Sequence, residues 1–291
     1  MQTITDPDVA RDWVFQQRAA GKTVGLVPTM GALHDGHLSL VQTSRKQCDA
    51  TIATIFINPT QFAPTEDLDK YPRTLKEDCE RLAGESVDAV FVPETKAMYT
   101  DHFSTYVDPP QVAHSLEGVC RPEHFRGVAT IVLKLFQIAP ATHAFFGQKD
   151  YQQLQVIRAM VRDLNVGIQI VAGETIREPD GLAMSSRNRY LSVDDRRRAL
   201  LISRSLQLAT DLYHTGEKRA AVLQDAMQQH LLGRPADRSE ATPLSVDKID
   251  YAVVVDAETL QEIDTINQTA VALIATMVGN TRLIDNRLIV V

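Results

Sequence analysis

Cysteine is scarce in this sequence, with 3 residues in 291, and so is tryptophan, with 1. Cys48, Cys79 and Cys120 lie far apart and form no CxxC pair, which argues against a disulfide framework and against a cysteine zinc site. The sequence has no run of about 18 apolar residues, and its first residues are acidic without an apolar stretch. We therefore expect neither a membrane span nor an export signal, and we expect a cytoplasmic protein.

Basic residues are fewer than acidic ones. The 30 lysines and arginines against 37 aspartates and glutamates give a formal net charge of -7, which argues against a nucleic-acid partner. An apolar content of 44% and a charged content of 23% are ordinary for globular proteins and exclude disorder, collagen-like repeats and a coiled coil. At about 150 residues per domain, the length favours two domains.

Short β-rich segments alternate with helix-like segments over the first 175 residues. Strands joined by helices and made of continuous apolar runs are typical of a parallel sheet covered on both faces. We predict a doubly wound, Rossmann-like domain over residues 1–175, with ligands at the carboxyl ends of its strands. The predicted strands lie at residues 23–27, 51–57, 89–92, 144–146 and 168–171, and predicted helices at residues 127–139 and 151–164.

The pattern changes after residues 178–181. Ser192 and Asp195 form a capping-box start for a long helix, and Gly216 is a plausible end for it. We predict a smaller α+β domain over residues 176–291. Its other predicted elements are a helix at residues 218–232, a polar loop at 233–243, and strands at 251–255, 270–277 and 283–290.

Two histidines bracket a turn in the segment PTMGALHDGH, at residues 28–37. The segment follows a predicted strand and precedes a helix-like stretch, and a helix N-terminus offers N–H groups and partial positive charge to phosphates. His34 and His37 could add hydrogen bonds that follow developing charge. Two alternatives stay open: a turn whose histidines only cap the helix, and a zinc site, which would need a third ligand.

Two further polar segments could contact a nucleotide. GQKD, at residues 147–150, follows a predicted strand, so that Lys149 could meet phosphates and Asp150 could cap the next helix or accept ribose hydroxyls. MSSRN, at residues 184–188, lies where the two domains join and offers two hydroxyls and a guanidinium to a triphosphate. Each segment, taken alone, could equally be a solvated loop.

NPTQF, at residues 58–62, ends the second predicted strand. Neighbouring parallel strands end at the same sheet edge, so Gln61 is expected beside the histidine turn. An amide both donates and accepts hydrogen bonds, so Gln61 and Gln153 could together orient a hydroxyl and a carboxylate. The alternative for either glutamine is ordinary surface polarity.

Taken together, these segments resemble the pantoate:β-alanine ligase family, among the cytidylyltransferase-like, adenylate-forming enzymes. The resemblance covers essentially the whole chain. Several motifs in one order make it specific, whereas HxGH alone marks only the broader nucleotidyltransferase group. The motifs are PTMG with HxGH at residues 28–37, NPxQF at 58–62, YPRT at 71–74, RP with HFxG at 121–127, FGxKD at 146–150 and SSRNRYL at 185–191.

The resemblance implies that ATP and (R)-pantoate form pantoyl adenylate and pyrophosphate, and that β-alanine then yields pantothenate and AMP. Attack of a carboxylate on the α-phosphate depends mainly on alignment and charge stabilisation, without a covalent enzyme nucleophile. Mg²⁺ would travel with the ATP phosphates, and a homodimer is implied. Residues 64–77, which include Asp67, Asp69 and Pro72, are expected to form a mobile wall over the pantoate pocket.

The resemblance also assigns the residues that would bind ATP. His34 and His37 would contact its phosphates, with His37 as the proton donor that stabilises developing charge. The remaining phosphate oxygens and the leaving pyrophosphate would be held by Lys149, Ser185, Ser186 and Arg187. The adenosine site would be lined by Met30, Gly147, Asp150, Ile176 and Met184.

The other substrates and the metal have fewer implied ligands. Gln61 and Gln153 would bind pantoate, and Gln61 would also serve β-alanine. Asp78 is only a minor candidate for contact with Mg²⁺. The partners are thus small molecules, namely ATP, pantoate and β-alanine.

Other functions could use the same histidine turn. One is a nucleotidyltransferase that joins a nucleotide to a phosphorylated metabolite, which the paired glutamines disfavour. Another is a nucleotide-binding sensor without catalysis. A dehydrogenase is disfavoured because no GxGxxG follows any predicted strand.

Overall fold

The computed structural model describes residues 1–63, 68, 71–234 and 244–291. These residues form two compact units: residues 1–148 with 152–175, and residues 149–151 with 176–291. The division into domains at residue 175 stays a prediction. Within the described part of the chain, no helix combines the length and the apolar character that crossing a membrane requires.

The first unit, over its described residues, is built on a six-stranded sheet in which all neighbouring strands are parallel. The predicted Rossmann-like fold is therefore confirmed, with strand ends within two residues of those predicted. The sequence did not predict the first strand, which has only 3 residues. The strands are β1 (Gln2–Ile4), β2 (Val24–Thr29), β3 (Ala50–Ile55), β4 (Ala89–Phe91), β5 (His143–Gly147) and β6 (Gln169–Gly173).

Helices cover this sheet and bury an apolar core against it. Helix α6 (His124–Ile138) contributes most of its length to that core, because its buried residues occur on nearly every turn. A Cβ atom on Gly25 of β2 would lie 2.0 Å from Ser44 Oγ, so only glycine lets helix α2 (Asp35–Gln47) pack this close to the strand. The helices are α1 (Pro7–Ala19), α2 (Asp35–Gln47), α3 (Leu75–Gly84), α4 (Thr95–Met98), α5 (Glu117–Cys120), α6 (His124–Ile138) and α7 (Tyr151–Asp163).

The strand order β1-β4-β3-β2-β5-β6 places a topological switch point between β2 and β5. From β2 the chain moves outward through β3 to β4 and then returns to β5 on the other side of β2. In open α/β sheets, ligands bind at such a switch point, outside the carboxyl ends of the strands. After β2, His34 ends the loop and His37 lies in the first turn of the following helix, and β5 ends at Gly147.

The second unit, over its described residues, packs two helices against a three-stranded antiparallel sheet, whose strands lie in the order β7 (Lys248–Asp256), β8 (Ala270–Val278) and β9 (Thr281–Ile289). The predicted α+β architecture is confirmed, and Ser192 Oγ accepts the Asp195 N–H at 3.1 Å, as the capping pattern predicted. Most of the predicted polar loop, residues 235–243, lies outside the described residues. The elements are α8 (Val193–His214), α9 (Ala220–Leu231), β7 (Lys248–Asp256), β8 (Ala270–Val278) and β9 (Thr281–Ile289).

Candidate active site

The turn between β2 and α2 uses two successive residues in the left-handed region. Gly31 has a φ of +86° and Ala32 a φ of +51°. Glycine adopts this conformation without steric cost, whereas a residue with a Cβ is strained there by about 1–3 kcal/mol. Ala32 is also 2% exposed, so the surrounding structure has to hold it in place.

Helix α3 supplies the groups that hold this turn. Asp78 is 2% exposed. Its Oδ2 accepts from Ala32 N–H at 2.9 Å and from the Thr74 hydroxyl at 3.1 Å, and its Oδ1 accepts from Leu33 N–H at 2.8 Å. One helical turn later, the Arg81 guanidinium donates to the Leu33 carbonyl. Both carboxylate oxygens of Asp78, the minor magnesium candidate, thus accept hydrogen bonds from the histidine turn.

Asp78→Asn is expected to lower the free energy of unfolding by about 1–3 kcal/mol, the cost of an unsatisfied buried polar group. Each carboxylate oxygen faces a backbone N–H, so the amide NH₂ would oppose one in either orientation. Urea denaturation measures the loss. Glu77→Gln, which neutralises the exposed neighbouring carboxylate, is the control. Equal stability of both variants and the wild type would contradict this role for Asp78.

The two imidazoles lie together at the start of α2, with ring centroids 4.0 Å apart. His34 is the N-cap residue, and its backbone N–H donates to His37 Nδ1 at 3.3 Å. Since Nδ1 accepts, the neutral His37 ring carries its proton on Nε2, which makes Nε2–H a hydrogen-bond donor. His37 can therefore accept the capping hydrogen bond on one ring nitrogen and still donate from the other. The described residues contain no group of three His, Cys, Asp or Glu side chains that could hold a metal ion, as zinc would need.

Gln61 ends the single-turn 3-10 helix Pro59–Gln61, which follows β3. Its Nε2 contacts Met30 Sδ at 2.9 Å, so two of the predicted site residues meet at the ends of neighbouring strands. Asn58, 1% exposed, donates from Nδ2 to Gln61 Oε1 at 3.1 Å and to the Gly127 carbonyl at 3.2 Å. Asn58 fixes which way the Gln61 amide faces, a role that its place in the NPxQF motif could have signalled.

Tyr99 holds Asn58 in turn. Its hydroxyl donates to Asn58 Oδ1 at 2.7 Å. Burial raises the pKa of Tyr99 above its ordinary value, and the opposing effect of the Thr60 hydrogen bond does not cancel the rise. The hydroxyl therefore stays protonated as a donor near neutral pH, and the chain of contacts from Tyr99 to Gln61 persists.

The HFxG motif supports the same turn from α6. A Cβ atom on Gly127 would lie 2.3 Å from the Thr60 carbonyl oxygen, so a larger residue would push the helix away from the turn. His124 Nδ1 lies 3.0 Å from the Gln61 carbonyl, and Arg121 reaches the same carbonyl at 3.4 Å. These motif residues shape the backbone beneath Gln61.

In the second unit, residues 176–187 form a local structure of their own. Arg177 and Ala183 form an antiparallel bridge, and Met184 N–H donates to the Ile176 carbonyl at 2.9 Å. The predicted adenosine residues Ile176 and Met184 are thus direct neighbours. Ser185 Oγ then accepts from the Arg187 N–H at 3.2 Å and opens a 3-10 turn over Ser186–Tyr190.

Ion pairs connect the hairpin formed by residues 176–184 to α8. Arg196 bonds to Glu178 and, at 2.9 Å, to Asp180, while Asn188 donates to Glu178 at 2.6 Å. Burial raises the pKa of Asp180, but hydrogen bonds from Leu182 N–H and Arg196 outweigh it and hold that pKa below its ordinary value. The pKa of Arg196 is raised, chiefly by its bond to Glu178. Asp180 and Arg196 therefore stay charged near neutral pH.

A sequence model of the family described as pantoate-beta-alanine ligase matches residues 2–288. The chain belongs to the pantoate-beta-alanine ligase family. It is 53% identical to a pantothenate synthetase from Rhodopirellula baltica, with all of both chains covered. It is 48% identical to one from Moorella thermoacetica, over 98% of this chain and 96% of the relative.

Solved structures of the family have the same fold. The crystal structure of pantothenate synthetase from Thermus thermophilus superimposes with a TM-score of 0.87 at 38% identity and covers 99% of each chain. The pantoate-beta-alanine ligase from Francisella tularensis, solved in complex with beta-gamma ATP and beta-alanine, gives a TM-score of 0.73 at 31% identity, with 99% of this chain and 97% of that one covered.

The remaining family positions fall in both units. Gly147 ends β5 in the first unit, and Gln153 is half-buried on the first turn of α7. Lys149 and Asp150 belong to the second unit, where Asp150 is exposed. Of the expected wall over residues 64–77, Asp67 and Asp69 lie outside the described residues.

Proposed function

We propose that this protein condenses (R)-pantoate with β-alanine, using ATP and passing through pantoyl adenylate. The observation that carries the proposal is the pair of imidazoles at the N-terminus of α2, outside the carboxyl end of β2 and at the switch point of the sheet. Beside this strand end, Gln61 contacts Met30. The Francisella relative, solved with a nucleotide and β-alanine, supports the same substrates for this chain.

In the first step, a pantoate carboxylate oxygen attacks the α-phosphorus of ATP, and the bond to pyrophosphate breaks. Negative charge shifts onto the leaving oxygens, where the Nε2–H of His37 would donate, with His34 beside it. Donors placed in advance where charge develops are the main source of catalysis in such reactions. We assign the remaining phosphate contacts to Lys149, Ser185, Ser186 and Arg187 because their motifs match the family.

In the second step, the neutral amine of β-alanine attacks the acyl carbon of pantoyl adenylate. The bond from that carbon to the AMP oxygen breaks, AMP leaves, and the new amide loses a proton to solvent. The fixed Gln61 amide would orient first the pantoate and then the amine, with Gln153 as the second pantoate ligand. Exclusion of water during this step protects the adenylate from hydrolysis.

Mg²⁺, the assembly and the location are part of the same proposal. Mg²⁺ prefers phosphate oxygens and water to a cage of protein side chains, so it would be bound by ATP. Both oxygens of Asp78 already accept backbone hydrogen bonds, which fits that arrangement. A homodimer is inferred from the family pattern. A cytoplasmic location follows from the requirement for ATP.

Product analysis with single omissions tests the function. Pyrophosphate release is expected to require ATP and pantoate, whereas stoichiometric AMP release and amide formation should require β-alanine as well. A dinucleotide-like product would instead support the nucleotidyltransferase alternative. ATP binding without pantoate-dependent exchange between ATP and pyrophosphate would support the sensor.

A further inference from the structure

Two adjacent buried residues of β9 contact two separate loops of the second unit. Asn286 is 3% exposed, and its Nδ2 donates to the Lys149 carbonyl at 2.8 Å. Asp285 is also 3% exposed, and its oxygens accept from the Arg177 guanidinium at 2.6 and 3.1 Å. Successive strand residues point to opposite sides, so one dipeptide can serve two loops.

The Asp285 contact fixes the hairpin as a whole. Arg177 bonds to Asp285 in a two-pronged arrangement and also donates to the Gly181 carbonyl at 3.2 Å, at the tip of the same hairpin. A bidentate arginine–carboxylate pair restricts orientation as well as distance. The hairpin sets the position of Ile176 and Met184, and the chain runs from Met184 directly into Ser185.

The Asn286 contact fixes the backbone of Lys149. A carbonyl held by a buried amide cannot rotate freely, so the side chain leaves the turn in a defined direction. Asp285 Oδ1 also accepts the Asn286 N–H at 2.8 Å, which couples the two residues. Pairing with β8 at Ile274 and Leu273 gives the dipeptide a rigid base.

We propose that Asp285 and Asn286 are positioning residues that align the two ATP-binding segments of the second unit, Lys149 and the hairpin leading to Ser185. This inference rests on the proposed function, because it takes those segments as ligands of ATP. A misplacement of about 1 Å can lower the rate of a catalysed reaction about a hundredfold. A strand that anchors both segments therefore affects ATP binding and adenylation without touching ATP.

Asn286→Leu and Asp285→Asn test the proposal. Leucine keeps the branched shape of Asn286 without a donor, and asparagine keeps the shape of Asp285 without its charge. Each variant is expected to weaken binding of a non-hydrolysable ATP analogue, or to slow pantoate-dependent ATP–pyrophosphate exchange, by about tenfold or more. The KM for β-alanine should stay within about twofold, because neither segment is assigned to that substrate.

The matched control is Asp250→Asn. Asp250 pairs with Arg282 at 2.7 Å, within the same sheet and with a side chain only 9% exposed, but it holds neither loop. Loss of this ion pair should lower the free energy of unfolding and leave ATP affinity and ATP–pyrophosphate exchange unchanged. If Asp285→Asn does not fold, Arg177→Lys replaces it, because lysine keeps the charge but cannot bind both carboxylate oxygens.

ATP affinity and exchange within about twofold of wild type, in folded Asn286→Leu and Asp285→Asn, would overturn the proposal. An equal loss in Asp250→Asn would also overturn it, by showing a general effect of stability. Failure of the proposed function can be distinguished from failure of the positioning role, because the wild-type protein would then form no pantothenate. An active wild type with unaffected variants contradicts only the positioning role.

Discussion

His37→Asn is expected to lower the rate of pantoate-dependent pyrophosphate release by about a hundredfold or more. The side-chain oxygen of asparagine can take the place of Nδ1 and accept the His34 N–H, so the cap at the start of α2 is retained. The variant has no donor at the position of Nε2. The loss of rate in this variant therefore reports the missing hydrogen bond to the phosphates and not a change in local structure. ATP–pyrophosphate exchange measures that loss.

His37→Gln makes the complementary change. Its amide nitrogen can reach the position of Nε2, while the bond from the His34 N–H is lost. This variant should be less stable than His37→Asn in urea and more active in exchange. Near-normal pyrophosphate release by His37→Asn would refute the assigned role of His37. If glutamine and asparagine at this position were equally inactive, a hydrogen bond from Nε2 would not be what catalysis requires.

Lys149→Met is expected to slow adenylate formation by a similar factor, about a hundredfold, because it removes a cation from the leaving pyrophosphate. Methionine keeps most of the length and the apolar part of the side chain. The Lys149 carbonyl would still accept from Asn286, since that bond uses the backbone. Single-turnover release of pyrophosphate separates this defect from any change in the second step.

Lys149→Arg keeps a positive charge and should recover part of the lost rate, since a guanidinium reaches phosphate oxygens with a different geometry. Lys46→Met, at the exposed last turn of α2, controls for loss of one lysine. Wild-type single-turnover kinetics in Lys149→Met would remove Lys149 from the list of phosphate ligands and leave the histidine turn untouched.

Periodicity and motif order predicted most of the fold. Continuous apolar segments such as residues 51–57 are a direct consequence of burial on both sheet faces, and β3 is buried along its full length. The meeting of Met30 with Gln61 could also be predicted, because adjacent parallel strands end at one edge. The short strand β1 was missed, since 3 residues cannot show a periodic pattern.

Contacts between distant segments were not predictable. Asp78 is 46 positions away from Ala32, and an aspartate on a helix has no local signal that it will accept backbone N–H groups elsewhere. The same holds for Asn286, which is 137 positions away from Lys149. The motifs identified the residues expected at the substrates, whereas the groups that orient them became visible only through the tertiary structure.

The membership of residues 149–151 in the second unit has a practical consequence. A protease nick or a gene split near residue 175 would produce a C-terminal piece without the Lys149 carbonyl that Asn286 binds and without the Tyr151 hydroxyl that donates to the Ala257 carbonyl at 2.9 Å. Such a piece would lack residues that pack within its own unit. Recombining the two halves, or joining a peptide that supplies residues 149–151, should restore these contacts to the C-terminal piece.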